Sequence, residues 1–125
     1  MNTVSELLQD RIQEVAYVGP NETAHNAMEQ MADKKIGALL VEDDDGKMIG
    51  IISERDYPGK AKALHKPLQE VLVKEIMSDH VIHVSPDDTI EHCMELVTGN
   101  HVRHLPVLKD GQILGIISIG DLSKT

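Results

Sequence analysis

The chain repeats itself, and nothing else in it constrains the fold as much. Val15-Ala-Tyr-Val-Gly-Pro-Asn-Glu-Thr23 returns 66 residues later as Val81-Ile-His-Val-Ser-Pro-Asp-Asp-Thr89. The register continues with Met28-Glu29 over Met94-Glu95, Leu39 over Leu105 and Val41 over Val107. After a one-residue gap in an acidic turn, Gly46-Lys-Met-Ile-Gly-Ile-Ile-Ser53 falls on Gly111-Gln-Ile-Leu-Gly-Ile-Ile-Ser118, and Asp56 on Asp121. Upstream, Val4-Ser-Glu-Leu-Leu-Gln-Asp10 resembles Val73-Lys-Glu-Ile-Met-Ser-Asp79. A period of this length marks a duplicated structural unit. One unit of about 55 residues buries too little apolar surface to offset its ordering entropy, so the two copies are expected to pack together. The repeat divides the chain into residues 1–62, the first copy with its N-terminal segment, and residues 63–125, a basic connecting region and the second copy.

Period and punctuation give each copy the same order of elements. A short strand at 16–18 or 82–84 is ended by Pro20 or Pro86. Capping and acidic residues at Asn21-Glu-Thr23 and Asp87-Asp-Thr89 then open a helix. Ala24, Ala27, Met28 and Met31 recur at helical spacing in the first copy, as Ile90, Cys93, Met94 and Val97 do in the second. An apolar strand at 38–41 or 105–108, an Asp-Gly turn and a return strand at 48–52 or 113–117 predict a hairpin. Ser53 and Ser118 stand where a second helix would begin. The fold class is α+β, two β-α-β-β-α units.

Charge and composition narrow the function. With 12 Lys+Arg against 21 Asp+Glu the net charge is −9, which repels a nucleic-acid duplex or an anionic membrane surface. No Trp or Phe is present and Tyr17 and Tyr57 are the only aromatics, so the core must be aliphatic and no stacking platform for single strands exists. The single Cys93 cannot form an internal disulfide, and the N-terminus does not resemble a signal peptide. The apolar runs are strand-sized, far short of the roughly 20 residues that span a bilayer. A soluble, cytoplasmic protein is expected.

Gly50-Ile-Ile-Ser-Glu-Arg-Asp56, Gly115-Ile-Ile-Ser-Ile-Gly-Asp121 and Arg103-His-Leu-Pro-Val107, ordered by the repeat, resemble a tandem pair of cystathionine-β-synthase-type (CBS) domains, a Bateman module. The resemblance covers nearly the full length. It implies two copies packed about a pseudo-two-fold axis, with clefts that take adenosine-containing ligands such as AMP, ADP, ATP, NAD(H) or S-adenosylmethionine. It also implies a homodimer and a non-catalytic regulatory module acting on a further protein, with no cofactor required.

The residues themselves give this a physical basis. Ser-x-x-Asp places Ser53 with Asp56, and Ser118 with Asp121, within one turn of a helix start. Backbone donors, the helix dipole and the serine hydroxyl suit a phosphate, while the aspartate can accept from a ribose hydroxyl. Gly50 and Gly115 allow close backbone approach, and Ile36, Ile51, Val102 and Ile116 are candidate walls for an adenine ring. Arg55, Arg103 and His104, with Lys34 and Lys35 in the first copy's matching loop, are the candidate counter-charges, Arg103 foremost because a guanidinium fork matches phosphate oxygens in pairs. Where the second copy has Arg103-His104, the first has Gly37-Ala38, so two sites would be unequal in charge. The competing reading is that each serine is an N-cap, the acid is the other half of a capping box, and Arg103 pairs with a surface carboxylate. A ligand-free scaffold module would follow from it.

Metal chemistry is not expected. His80 and His83, three apart on a strand, point to opposite faces, and Cys93 is the only thiol available beside His92, His101 and His104. Cys93 fits a helix core position, and Asp43-Asp44-Asp45 fits a solvated turn. No nucleophile with a base beside it is evident, so an enzyme is not expected.

Overall fold

The computed structural model describes residues 2–9, 15–55 and 57–123. In chain order the elements are α1 (Val4–Gln9), β1 (Tyr17–Val18), α2 (Ala24–Lys34), β2 (Ala38–Glu42), β3 (Met48–Ser53) and α3 (Tyr57–Ala63), then a 3-10 turn (Leu68–Glu70), α4 (Val73–Ile76), α5 (Ile90–Asn100), β4 (His104–Lys109), β5 (Gln112–Ser118) and α6 (Ile119–Ser123).

The two long helices start and stop by the same chemistry. Thr23 Oγ accepts the Asn26 N–H at 3.2 Å and Thr89 Oγ accepts the His92 N–H at 3.0 Å, each satisfying an otherwise unpaired donor of the first turn. Lys35 and His101 close α2 and α5 in the left-handed region, at φ 56° and 55°. Ala24, Ala27 and Met31 on α2, and Ile90, Cys93 and Val97 on α5, form the buried stripes the periodicity predicts.

The hairpins β2–β3 and β4–β5 are antiparallel, and each carries a register shift at the same place in the repeat, between Val41 and Glu42 and between Val107 and Leu108. Asp110 and Gly111 turn the second hairpin with φ 53° and 79°, the positive pair a tight two-residue connection needs. The longer first turn is tied by the Asp43 carboxylate, which accepts the N–H groups of Asp45 and Lys47 at 3.0 and 2.9 Å.

Two expectations are modified. β1 runs parallel to β2, but its counterpart at 82–84 is only a single parallel bridge, Val84 to Val107. The Leu40 N–H donates to the Ala16 carbonyl at 3.2 Å, and the repeat puts Pro106, which has no N–H, in place of Leu40. The helix expected directly after Ser53 begins instead at Tyr57, while α6 follows Ser118 without a break. A helix starting at Glu54 would need residue 58 to donate back to residue 54, and residue 58 is proline.

The chain divides into two units, Ala16–Val81 and Met1–Val15 with Ile82–Thr125. These do not follow the sequence halves 1–62 and 63–125, because the two copies exchange their leader helices. In the first unit Ala24 N–H donates to the Val71 carbonyl at 2.7 Å, Val73 N–H to Glu22 at 2.9 Å and Lys74 N–H to Pro20 at 3.0 Å. In the second, Ile90 N–H donates to Asn2 at 3.0 Å, Val4 N–H to Asp88 at 2.9 Å and Ser5 N–H to Pro86 at 2.9 Å, the same three bonds one repeat later. Val73 and Ile76 of α4, and Val4 and Leu7 of α1, are buried in the cores they reach. Glu75 fastens α4 further: it accepts from Lys66 Nζ at 2.6 Å and from the Leu72 N–H at 2.9 Å, and these bonds hold its carboxyl below the usual carboxylate range.

Both cores are aliphatic. Met31, Leu39, Val41, Ile52, Val71 and Val73 fill the first and Leu105, Val107, Ile117, Cys93 and Val4 the second, where burial of each large side chain contributes about 1.5–3 kcal/mol. Gly50 has a specific task in this packing. Ser78 bridges Ile51 through two backbone bonds of 2.9 and 3.0 Å, so a Cβ on Gly50 would stand 2.6 Å from Met77 Sδ and 2.9 Å from the Ser78 carbonyl. The close approach expected at Gly50 is thus made by the chain's own segment. Gly50→Ala is expected to cost about 1–3 kcal/mol, read as a lowered urea midpoint at unchanged slope.

Candidate functional site

The two β-hairpins deliver their last residues to the start of a helix or turn, and the backbone there is built alike in both units. Ser53 pairs with Ala38 and Ser118 with His104 across the hairpins. The next N–H in each unit reaches the residue just before the opposing strand: Glu54 donates to the Gly37 carbonyl at 3.1 Å, and Ile119 to the Arg103 carbonyl at 2.9 Å. These bonds fix Gly37 and Arg103 beside their junctions. The junction of the second unit thus holds Arg103, His104, Ser118 and Asp121, and that of the first Gly37, Ser53 and Arg55, while Ile36 and Val102 pack against the cores of their own units. Asp56 lies outside the described residues.

Side-chain geometry at the second junction is well defined. The Ser118 N–H donates to Asp121 Oδ2 at 2.7 Å and the Asp121 N–H donates to Ser118 Oγ at 3.1 Å, a reciprocal capping box. At the first junction Ser53 Oγ accepts the Arg55 N–H at 3.2 Å, which forms a local turn instead. Four of the backbone donors expected to be open at the junctions, those of Glu54, Arg55, Ile119 and Asp121, are used within the protein. At the second junction a helix of five residues offers little dipole.

Arg103 stands beside this junction. It is exposed, and among the described residues it makes no ion pair, unlike Lys66 with Glu75 or His25 with Glu29. Arg55 is likewise exposed, beside the exposed Glu54. Ile36, Ile51, Val102 and Ile116 are half-buried. Ile116 and Ser118 are two residues apart on β5 and share a sheet face, as Ile51 and Ser53 do on β3.

Elsewhere, Cys93 is buried, and burial together with the charge of Asp88 pushes its thiol up to about 11, unsuited to a nucleophile. Among the described residues no group of three or more His, Cys, Asp or Glu side chains is placed to hold a metal, and no helix is long and apolar enough to cross a membrane. The sequence reading missed the exchange of leader helices.

A duplicated α+β unit, each copy closed by the other's leader and each ending its hairpin in a Ser-containing junction, defines a tandem repeat-domain protein. The family model for the CBS domain matches residues 4–57 and again 73–125. The chain belongs to the CBS-domain family, as a tandem pair. The CBS domain NE2398 is 48% identical with a TM-score of 0.91, covering 98% of this chain and 94% of that one. The CBS-domain protein ATU1752 of Agrobacterium tumefaciens is 34% identical with a TM-score of 0.92, covering 98% and 92%. A hexameric CBS-CP12 protein from bloom-forming cyanobacteria is 28% identical with a TM-score of 0.84, covering 97% and 69%. The mitochondrial CBS domain-containing protein CBSX3 of Arabidopsis thaliana is 34% identical over 106 residues, 82% of this chain and 52% of the relative. The chain thus spans about half the length of CBSX3.

Proposed function

We propose that this CBS pair is a non-catalytic regulatory module that binds an adenosine-containing ligand at its strand-to-helix junctions. Asp121 accepts from the ribose, Arg103 holds a phosphate with His104 beside it, and Val102 and Ile116 flank the base. Ser53, Arg55, Asp56, Ile36 and Gly37 are the corresponding groups of a second, less cationic site. The carrying observation is Arg103: an exposed guanidinium without an ion pair among the described residues, fixed through its own backbone next to Ser118 and Asp121. Such a fork suits a phosphate, and AMP, ADP, ATP and NAD(H) all present one. Ligand occupancy shifts the protein between states that differ in affinity for a further protein. The hexameric relative supports self-association, for which a homodimer is the simplest form. A cytoplasmic setting agrees with the single thiol.

A ligand-free scaffold is the second reading, favoured by the closed Ser118–Asp121 capping box. Thermal unfolding with AMP, ATP, NADH and S-adenosylmethionine separates the two. A ligand at 100-fold excess over its dissociation constant adds about 2.7 kcal/mol and raises the midpoint by several degrees, whereas the scaffold shows no shift with any of them.

A further inference from the structure

The unit Ala16–Val81 carries a second concave surface that its junction does not use. α3 and the segment after it enclose a groove of about 470 Å³. Its apolar lining is Tyr57, Pro58 and Ala61 from α3 and Pro67 and Leu68 from the following turn, with Leu68 46% exposed. Lys62 and His65 stand along the edge, where a left-handed His65, φ 54°, turns the chain back to form the far wall. Lys66 also lines the groove but is held by Glu75. Apart from Tyr57, its lining residues fall between the two family matches.

Charge and shape specify the occupant. The groove's lining holds no Asp or Glu and two lysines, of which Lys66 is paired with Glu75 and Lys62 makes no ion pair among the described residues, in a chain whose net charge is −9. A local positive field in an acidic protein selects an anionic partner. Small molecules are usually buried over most of their surface in deep clefts, but Pro58, Lys62, His65, Pro67 and Leu68 are all exposed, so this groove covers one side of its occupant only. That is the geometry of peptide docking. The seven residues of α3 give a length of about 10 Å, room for about three residues of extended chain.

We propose that this groove docks an acidic segment of a partner protein, with one apolar side chain against Tyr57 and Leu68 and flanking carboxylates facing Lys62. The groove lies on the helix that follows the first junction. The test is amide NMR of the full chain titrated with acetyl-Glu-Glu-Leu-Glu-Glu-amide and with its Gln counterpart. The acidic peptide is expected to shift resonances of Tyr57–Leu68, to weaken with added salt, and to bind at least tenfold tighter than the Gln peptide. Lys62→Glu and Leu68→Ser, both at exposed positions, each lower its affinity about tenfold or more while the rest of the spectrum and the response to AMP stay unchanged. Absence of binding, shifts confined to other segments, or equal affinity for the Glu and Gln peptides overturns the proposal.

Discussion

Val4→Asp is expected to raise amide hydrogen exchange about a hundredfold across Leu105–Leu122 while Leu39–Ile52 keep their protection, and Val73→Asp to do the reverse. Both valines are fully buried, so each substitution places a carboxylate in an aliphatic core and costs about 3 kcal/mol or more. The direction is what matters. Val4 precedes the first copy in sequence, yet its N–H is bonded to Asp88 and its side chain lies in the core of Leu105, Val107 and Ile117. Val73 precedes the second copy and packs with Leu39, Val41 and Ile52. Equal loss of protection in both units, or loss in the copy that follows each leader in sequence, would contradict the exchange.

Arg103→Ala is expected to weaken binding of AMP about 10- to 150-fold while leaving adenosine almost unaffected. A hydrogen bond to a charged group contributes about 1.5–3 kcal/mol, and only the phosphorylated ligand can receive it. Because Arg103 is exposed and unpaired among the described residues, its removal should leave the urea midpoint unchanged, so a loss of affinity cannot be assigned to unfolding. Arg55→Ala is expected to have a smaller effect, since the first junction carries Gly37 where the second carries Arg103 and has Glu54 beside its arginine. An equal fall for adenosine and AMP would assign Arg103 to the base or sugar and not to the phosphate.

The fold was legible in the sequence wherever a local rule decided it. Thr23 and Thr89 cap where the spacing placed them, the Asp-Gly turn brings β4 back as β5, and the apolar stripes of α2 and α5 face their cores. What the pattern did not display depended on a single missing donor or on a distant partner. Pro106 removes the N–H that would extend the strand at 82–84, and Pro58 delays α3, both readable from proline chemistry once the opposing residue is known. The docking of α1 and α4 is a long-range choice between two nearly identical surfaces, and local periodicity cannot make it. At the second junction, Ser118 pairs with His104 and bonds Asp121, and Ile119 bonds the Arg103 carbonyl, while Val102 packs against the core. The Ser118–Asp121 box and the Ile119 bond to Arg103 occupy donors that the spacing left open, because spacing alone cannot reveal which N–H groups the protein has already satisfied.

Calorimetric titration of AMP into the wild-type protein and into Asp121→Ala tests the nucleotide assignment most directly. The account predicts two unequal binding steps in the wild type, with the tighter one abolished by the substitution at a stability cost of about 1 kcal/mol, the worth of a lost cap. Binding of unchanged strength in Asp121→Ala, two identical sites, or no heat of binding at all would contradict it.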